Sequence, residues 1–157
     1  MRFSVPGILP IMAASLIVAM PGKASDFDLV KQRLGGRWRF LEDKQPYETT
    51  FEIVSQGAAF LERNSGFTVV YYPDGTALMM TLFTKDGYQV RLRASAADKE
   101  GSSIKFVFQD STNLAPHTPH ISGLTLIFRD KDHVLERWRL VDERDAESTF
   151  DFELTRN

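Results

Sequence analysis

From Tyr47 onward the chain alternates apolar and polar side chains with a period of two, the mark of half-buried β-strands. Tyr47, Thr49, Phe51 and Ile53 fall on one phase, and Glu48, Thr50, Glu52 and Val54 on the other. The pattern predicts ten strands: 37–42, 47–55, 58–63, 67–72, 77–84, 88–95, 103–110, 120–129, 133–141 and 148–156. The last is the most regular, with Phe150, Phe152, Leu154 and Arg156 on one side and Thr149, Asp151, Glu153 and Thr155 on the other. Before the strands, Phe27, Val30 and Leu34 recur at helical spacing. Ser25 or Asp26 can cap that helix, and Gly35-Gly36 ends it.

Turn chemistry separates most of the strands. Pro73-Asp74-Gly75 and Lys85-Asp86-Gly87 are short hairpin signals. One connection is long, Ser111–Pro119, with two prolines and no strand pattern. Ten short antiparallel strands without a second layer of helices must dispose of their free edges. The pattern therefore predicts an all-β fold, a closed up-and-down antiparallel barrel preceded by a short helix, with a β-sandwich as the competing arrangement.

The first 24 residues break this pattern. Arg2 precedes an apolar stretch from Ile8 to Met20, and Gly22 and Ala24 are small residues ahead of a cleavage point, the layout of a secretory signal peptide. No twin-arginine pair is present. The unbroken apolar run after Pro10 is Ile11–Met20, shorter than the roughly 20 residues a membrane-spanning helix needs. The reading is a leader over 1–24 and one domain over 25–157. That domain is exported to a periplasm or the cell exterior, and is free of a membrane anchor.

Removing Arg2 and Lys23 with the leader leaves 17 of the 19 basic residues against 21 acidic ones, a net charge of −4. Such a balance offers no footprint for nucleic acid. The chain has no cysteine, which excludes disulfides, thiolate metal sites, a cysteine nucleophile and a lipidated cysteine.

At the start of the first strand, Gly36 precedes Trp38 by two positions, just after the helix, and Arg156 lies on the inward phase of the last strand. This set resembles the Gly-x-Trp signature of lipocalin-like (calycin) barrels. The resemblance implies that Trp38 closes one end of the barrel and that Arg156 lies across its indole, where a planar guanidinium stacks well. A further resemblance runs from Tyr72 onward, to a group of mostly uncharacterised secreted bacterial lipocalin-like proteins. It is carried by Leu78-Met79-Met80-Thr81, Gln89, Arg91-Leu92-Arg93-Ala94, Phe106-Val107-Phe108, Asp110-Ser111-Thr112-Asn113-Leu114, His120, Gly123-Leu124, Asp132-His133, Glu136 and Trp138. Members of that group often carry His-Tyr-Cys where this chain has Leu82-Phe83-Thr84, and a second histidine where it has Ser122. A metal or reaction depending on those groups is lost here, so the resemblance implies a fold and no reaction.

Candidate chemistry is sparse. His117 and His120 bracket Thr118-Pro119, and His133 opens a strand at the far end of the barrel, roughly 30 Å away for strands of this length. A three-histidine metal centre is therefore not expected, and the pattern calls for no cofactor. A single axial histidine to a haem is an alternative that β-barrels permit. Asp110, Thr112 and Asn113 read as turn chemistry; the alternative makes 111–119 a lid, with Asn113 and His120 facing a ligand. Arg91 and Arg93 share a phase opposite Val90 and Leu92, which sends them to solvent. Turned inward they would need a carboxylate such as Glu136, or would hold a ligand's carboxylate. No nucleophile elbow, phosphate loop, dinucleotide fingerprint or EF-hand appears.

The resulting expectation is a soluble barrel that binds a small hydrophobic or amphipathic molecule, oriented by Arg91, Arg93, Asn113, His120 and Glu136. The alternatives are a barrel enzyme using His120 with an inward carboxylate, and a solid-core envelope interaction module.

Overall fold

Asp26–Leu34 forms a helix (α1) in this computed structural model, which describes residues 25–157 apart from Ala96 and Lys99. The proposed leader lies outside the described residues. The Ser25 hydroxyl accepts from the Asp28 amide at 3.1 Å, acids occupy the first turn and bases the last, and Phe27, Val30 and Leu34 are buried. Capping, dipole and periodicity therefore agree on the same nine residues.

Ten strands follow: β1 (Gly36–Glu42), β2 (Gln45–Val54), β3 (Ala59–Arg63), β4 (Phe67–Asp74), β5 (Ala77–Thr84), β6 (Gln89–Ala94), β7 (Ser103–Thr112), β8 (His120–Phe128), β9 (His133–Val141) and β10 (Glu147–Arg156). Each pairs antiparallel with its chain neighbours, and β10 returns to β1, closing the barrel. This up-and-down closure is compatible with a lipocalin-like architecture and excludes the sandwich. The Pro73-Asp74-Gly75 turn falls later than the sequence suggests. Asp74 still pairs with Ala77, leaving Gly75-Thr76 as a two-residue turn in which Gly75 takes φ +60°.

Inward phases carry the core: Phe51, Phe60, Val69, Tyr71, Met80, Leu92, Ile104, Phe106, Leu124, Leu126 and Leu154 are all buried. Ile53 is an exception to the expected phase, at 61% exposure. The reason is register: β1 begins at Gly36 opposite Phe51, so the end of β2 extends past the barrel rim with no wall to face.

At the helix end, Arg156 lies over the Trp38 indole with its guanidinium carbon 4.1 Å from the ring centroid. Its three nitrogens donate to the carbonyls of Gly35 (2.5 Å), Arg33 (2.9 Å) and Lys131 (3.0 Å), and the Trp38 indole N–H donates to the Leu34 carbonyl. Gly36 makes this approach feasible: at φ +119° it needs a glycine, and a Cβ would sit 3.2 Å from Arg156 Nη1. This end of the barrel is plugged.

Two places in the wall are looser. β1 and β10 pair only at Trp38↔Arg156 and Arg39↔Thr155, although both strands continue towards the other end. The β7–β8 ladder stops at Val107↔Gly123, beyond which each strand pairs only with its outer neighbour.

Candidate functional site

The end of the barrel opposite Trp38 is open. There a cavity of about 260 Å³ is walled by six aromatic rings: Phe40, Tyr47, Phe67, Trp138, Phe150 and Phe152. Alternation puts them there, since each occupies the inward phase of its strand near the mouth. They pack on one another: Phe40 on Phe152 (centroids 4.7 Å apart) and Tyr47 (5.7 Å), Phe150 on Phe152 (5.4 Å), and Phe67 on Trp138 (5.6 Å). Leu82, Ile121 and the β3–β4 turn Asn64–Gly66 complete the wall, and among the described residues Glu42 is its sole ionisable side chain besides Tyr47. Glu42 has no hydrogen-bond or ion-pair partner among the described residues.

Behind Trp138 lies a buried acidic centre. Glu62 (β3) and Glu136 (β9) are each 1% exposed. Glu62 accepts from the Tyr71 hydroxyl at 3.1 Å and from the Thr49 hydroxyl at 3.3 Å. Glu136 accepts from the Trp138 indole N–H at 3.1 Å through Oε2, while its Oε1 is buried with no donor. No basic side chain among the described residues is bonded to either carboxyl.

Burial pushes the Glu136 carboxyl up to about 7, with the indole N–H of Trp138 acting the other way. Glu62 is raised well above the usual carboxylate range, first by burial and then by the negative charge on Glu136, against the two hydroxyl donors. The Tyr71 phenol is raised by burial and by the same two carboxylates. The two carboxyls titrate as a pair, and burial favours the neutral form of each.

The five ligand-facing residues expected from sequence do not meet. Glu136 is inside, on the phase of Val134 and Trp138. Arg91 and Arg93 point outwards: Arg91 Nε donates to Asp110 and its Nη1 to the Thr112 hydroxyl at 3.2 Å, and Arg93 is exposed. An inward Arg91 or Arg93 paired with Glu136 is thus not how the strand sits; β6 buries Val90 and Leu92 instead. Asn113 is an exposed loop residue at φ +58°, and no residue of 111–119 lines the cavity, so this connection is not its lid.

His120 is half-buried at the β7–β8 gap, its ring 5.6 Å from that of Phe108 and its Nδ1 2.8 Å from the Thr118 carbonyl oxygen. His117 lies 3.5 Å from Asp145, and His133 is 2.9 Å from Asp130. The three histidines thus sit in three separate environments. Among the described residues no group of three or more His, Asp or Glu side chains is arranged to hold a metal ion.

Sequence reasoning did not single out Glu62, Tyr71, Thr49 or the mouth aromatics. Phe60-x-Glu62 on one phase of a short strand was the available signal for the first. The cross-barrel partners depend on register, which alternation does not give. No known protein family matches the chain, and no curated protein is significantly similar to it.

Proposed function

We propose that this protein is an exported, lipocalin-like barrel that binds a small, largely apolar molecule at its open end. The observation that carries this reading is the 260 Å³ aromatic cavity at the mouth. Cavities of about 150 Å³ already admit benzene, and pockets for drug-sized ligands begin at about 300 Å³. A ring bearing a short chain suits the space. Below the cavity the interior is filled by Phe60, Tyr71, Met80, Phe106 and Leu126, so the ligand sits at the mouth rather than along the barrel axis. Export is supported by the leader pattern of residues 1–24, and lipocalin kinship by the Arg156–Trp38 plug.

The reading is tested with N-phenyl-1-naphthylamine, a neutral probe whose fluorescence rises in apolar sites. Saturable binding is expected in the wild type and its loss in Ile121→Trp, which fills the mouth without touching the acidic centre. Absence of binding in the wild type, with the fold intact by circular dichroism, would leave a solid interaction module as the better reading. For an enzyme built on His120 and Glu136 the geometry offers no support, since nothing brings the imidazole to the carboxyl.

A further inference from the structure

The mouth cavity has a sign as well as a shape. Among the described residues its wall holds six aromatic rings, one carboxylate without a partner (Glu42) and no basic residue. One indole deeper lies Glu136, hydrogen-bonded to the floor residue Trp138 and with its second carboxylate oxygen buried and lacking a donor. The arginines suited to receive an acidic ligand, Arg91 and Arg93, are on the outer face. Aromatic faces present negative potential, and an aromatic box with a carboxylate near it is favourable to an organic cation and unfavourable to an anion. The uncompensated carboxylate beneath the floor adds to that potential, because low-dielectric surroundings leave its charge poorly screened.

We infer that the ligand is a small organic cation, an aryl- or alkyl-ammonium ion. Its apolar body lies among Phe40, Phe150 and Phe152, and its positive end faces Glu42 and Trp138, with Glu136 behind. This inference rests on the proposed mouth-binding function and narrows it to one ligand class. Each part of the set has a distinct job. The rings supply area and cation–π attraction, Glu42 is the direct counter-ion, and Glu136 sets the potential through the floor without touching the ligand.

The test is calorimetry on the full folded domain at pH 8 with three probes of one size: 2-phenylethylammonium, 2-phenylethanol and 3-phenylpropanoate. The ammonium ion is expected to bind at least about tenfold tighter than the alcohol, and the carboxylate weakest. Glu42→Gln and Glu136→Gln are each expected to weaken the ammonium probe by roughly three- to tenfold and the alcohol by much less. Glutamine at 136 can still accept from Trp138, so the floor keeps its geometry.

Equal affinity for all three probes, or tighter binding of the carboxylate, overturns the cation assignment and leaves mouth binding standing. Loss of alcohol and ammonium binding together in both variants would show a structural effect and likewise overturn it. Failure of every probe, the neutral dye included, overturns the binding function itself.

Discussion

Glu136 is sealed in the folded barrel but is an ordinary carboxyl in the unfolded chain, and that difference makes stability depend on pH. Its folded pKa is raised to about 7 against roughly 4.3 unfolded. The unfolded state therefore releases its proton first, so the stabilising effect of the neutral carboxyl is complete below about pH 4.3 and is lost as pH rises towards 7. The loss is on the order of 3 kcal/mol. Glu136→Gln removes it: urea unfolding should show the variant gaining on wild type between pH 4.5 and 7, with the gap constant above. A gap independent of pH would mean that Glu136 is not the titrating group. Outside the barrel the expectation is opposite. Arg91→Ala breaks a pair whose side chains are 33% and 52% exposed, so it should cost under about 1 kcal/mol and leave dye binding unchanged. Both outcomes trace to strand phase, which the sequence displays: Glu136 shares a phase with Trp138, and Arg91 opposes Val90 and Leu92. The Asp110 partner was not legible, because a bulge between Arg91 and Leu92 resets the β6–β7 register, and alternation carries no register information.

Helix α1 and the ends of β1 and β10 behave as one unit, because Arg156 ties them together. It stacks on Trp38 and satisfies two carbonyls at the end of the helix, Arg33 and Gly35, that would otherwise need water. Arg156→Ala should destabilise the domain by roughly 2–4 kcal/mol, since charged hydrogen bonds and the cation–π contact are lost together. Arg156→Lys should recover only part of this, because an ammonium group cannot span three carbonyls while lying flat on an indole. Equal stability of the two variants by denaturant unfolding would contradict the planar-fork account. This unit was readable from sequence, since Gly36, Trp38 and an inward Arg156 are local signals. The mouth was not: Phe40, Tyr47, Phe67 and Phe150 come from four strands and meet only after closure. The long connection 111–119 stands out in the sequence by its length, yet it lies beside the β7–β8 gap, held by the Tyr88 hydroxyl donating to the Pro119 carbonyl at 3.1 Å.

For the molecule as a whole, the decisive question is where the barrel is weakest, and register answers it. Nine of the ten strand interfaces are ladders of four or more residue pairs, but β1 and β10 share only two. Beyond Arg39 the two strands part. A groove of about 560 Å³ lies on the outside there, bordered by Arg39, Leu41, Pro46, Asp151, Glu153 and Thr155, and Phe40 borders both this groove and the mouth cavity. At the seam, Phe40 alone is shared by the mouth cavity and the outer groove. Opening it breaks few hydrogen bonds and exposes mainly the Phe40–Phe152 contact, whereas opening β4–β5 disrupts eight pairs. Local openings of this kind set amide exchange rates. Amides of Phe40–Glu42 that face β10 should therefore exchange at least about tenfold faster than those of Val69–Tyr71 and Met79–Leu82. A bound ligand packed against Phe40 and Phe152 should slow the seam and leave β4–β5 unchanged, linking closure of the wall to occupation of the mouth. Uniform protection around the barrel would show that side-chain packing, not the ladder, holds β1 against β10.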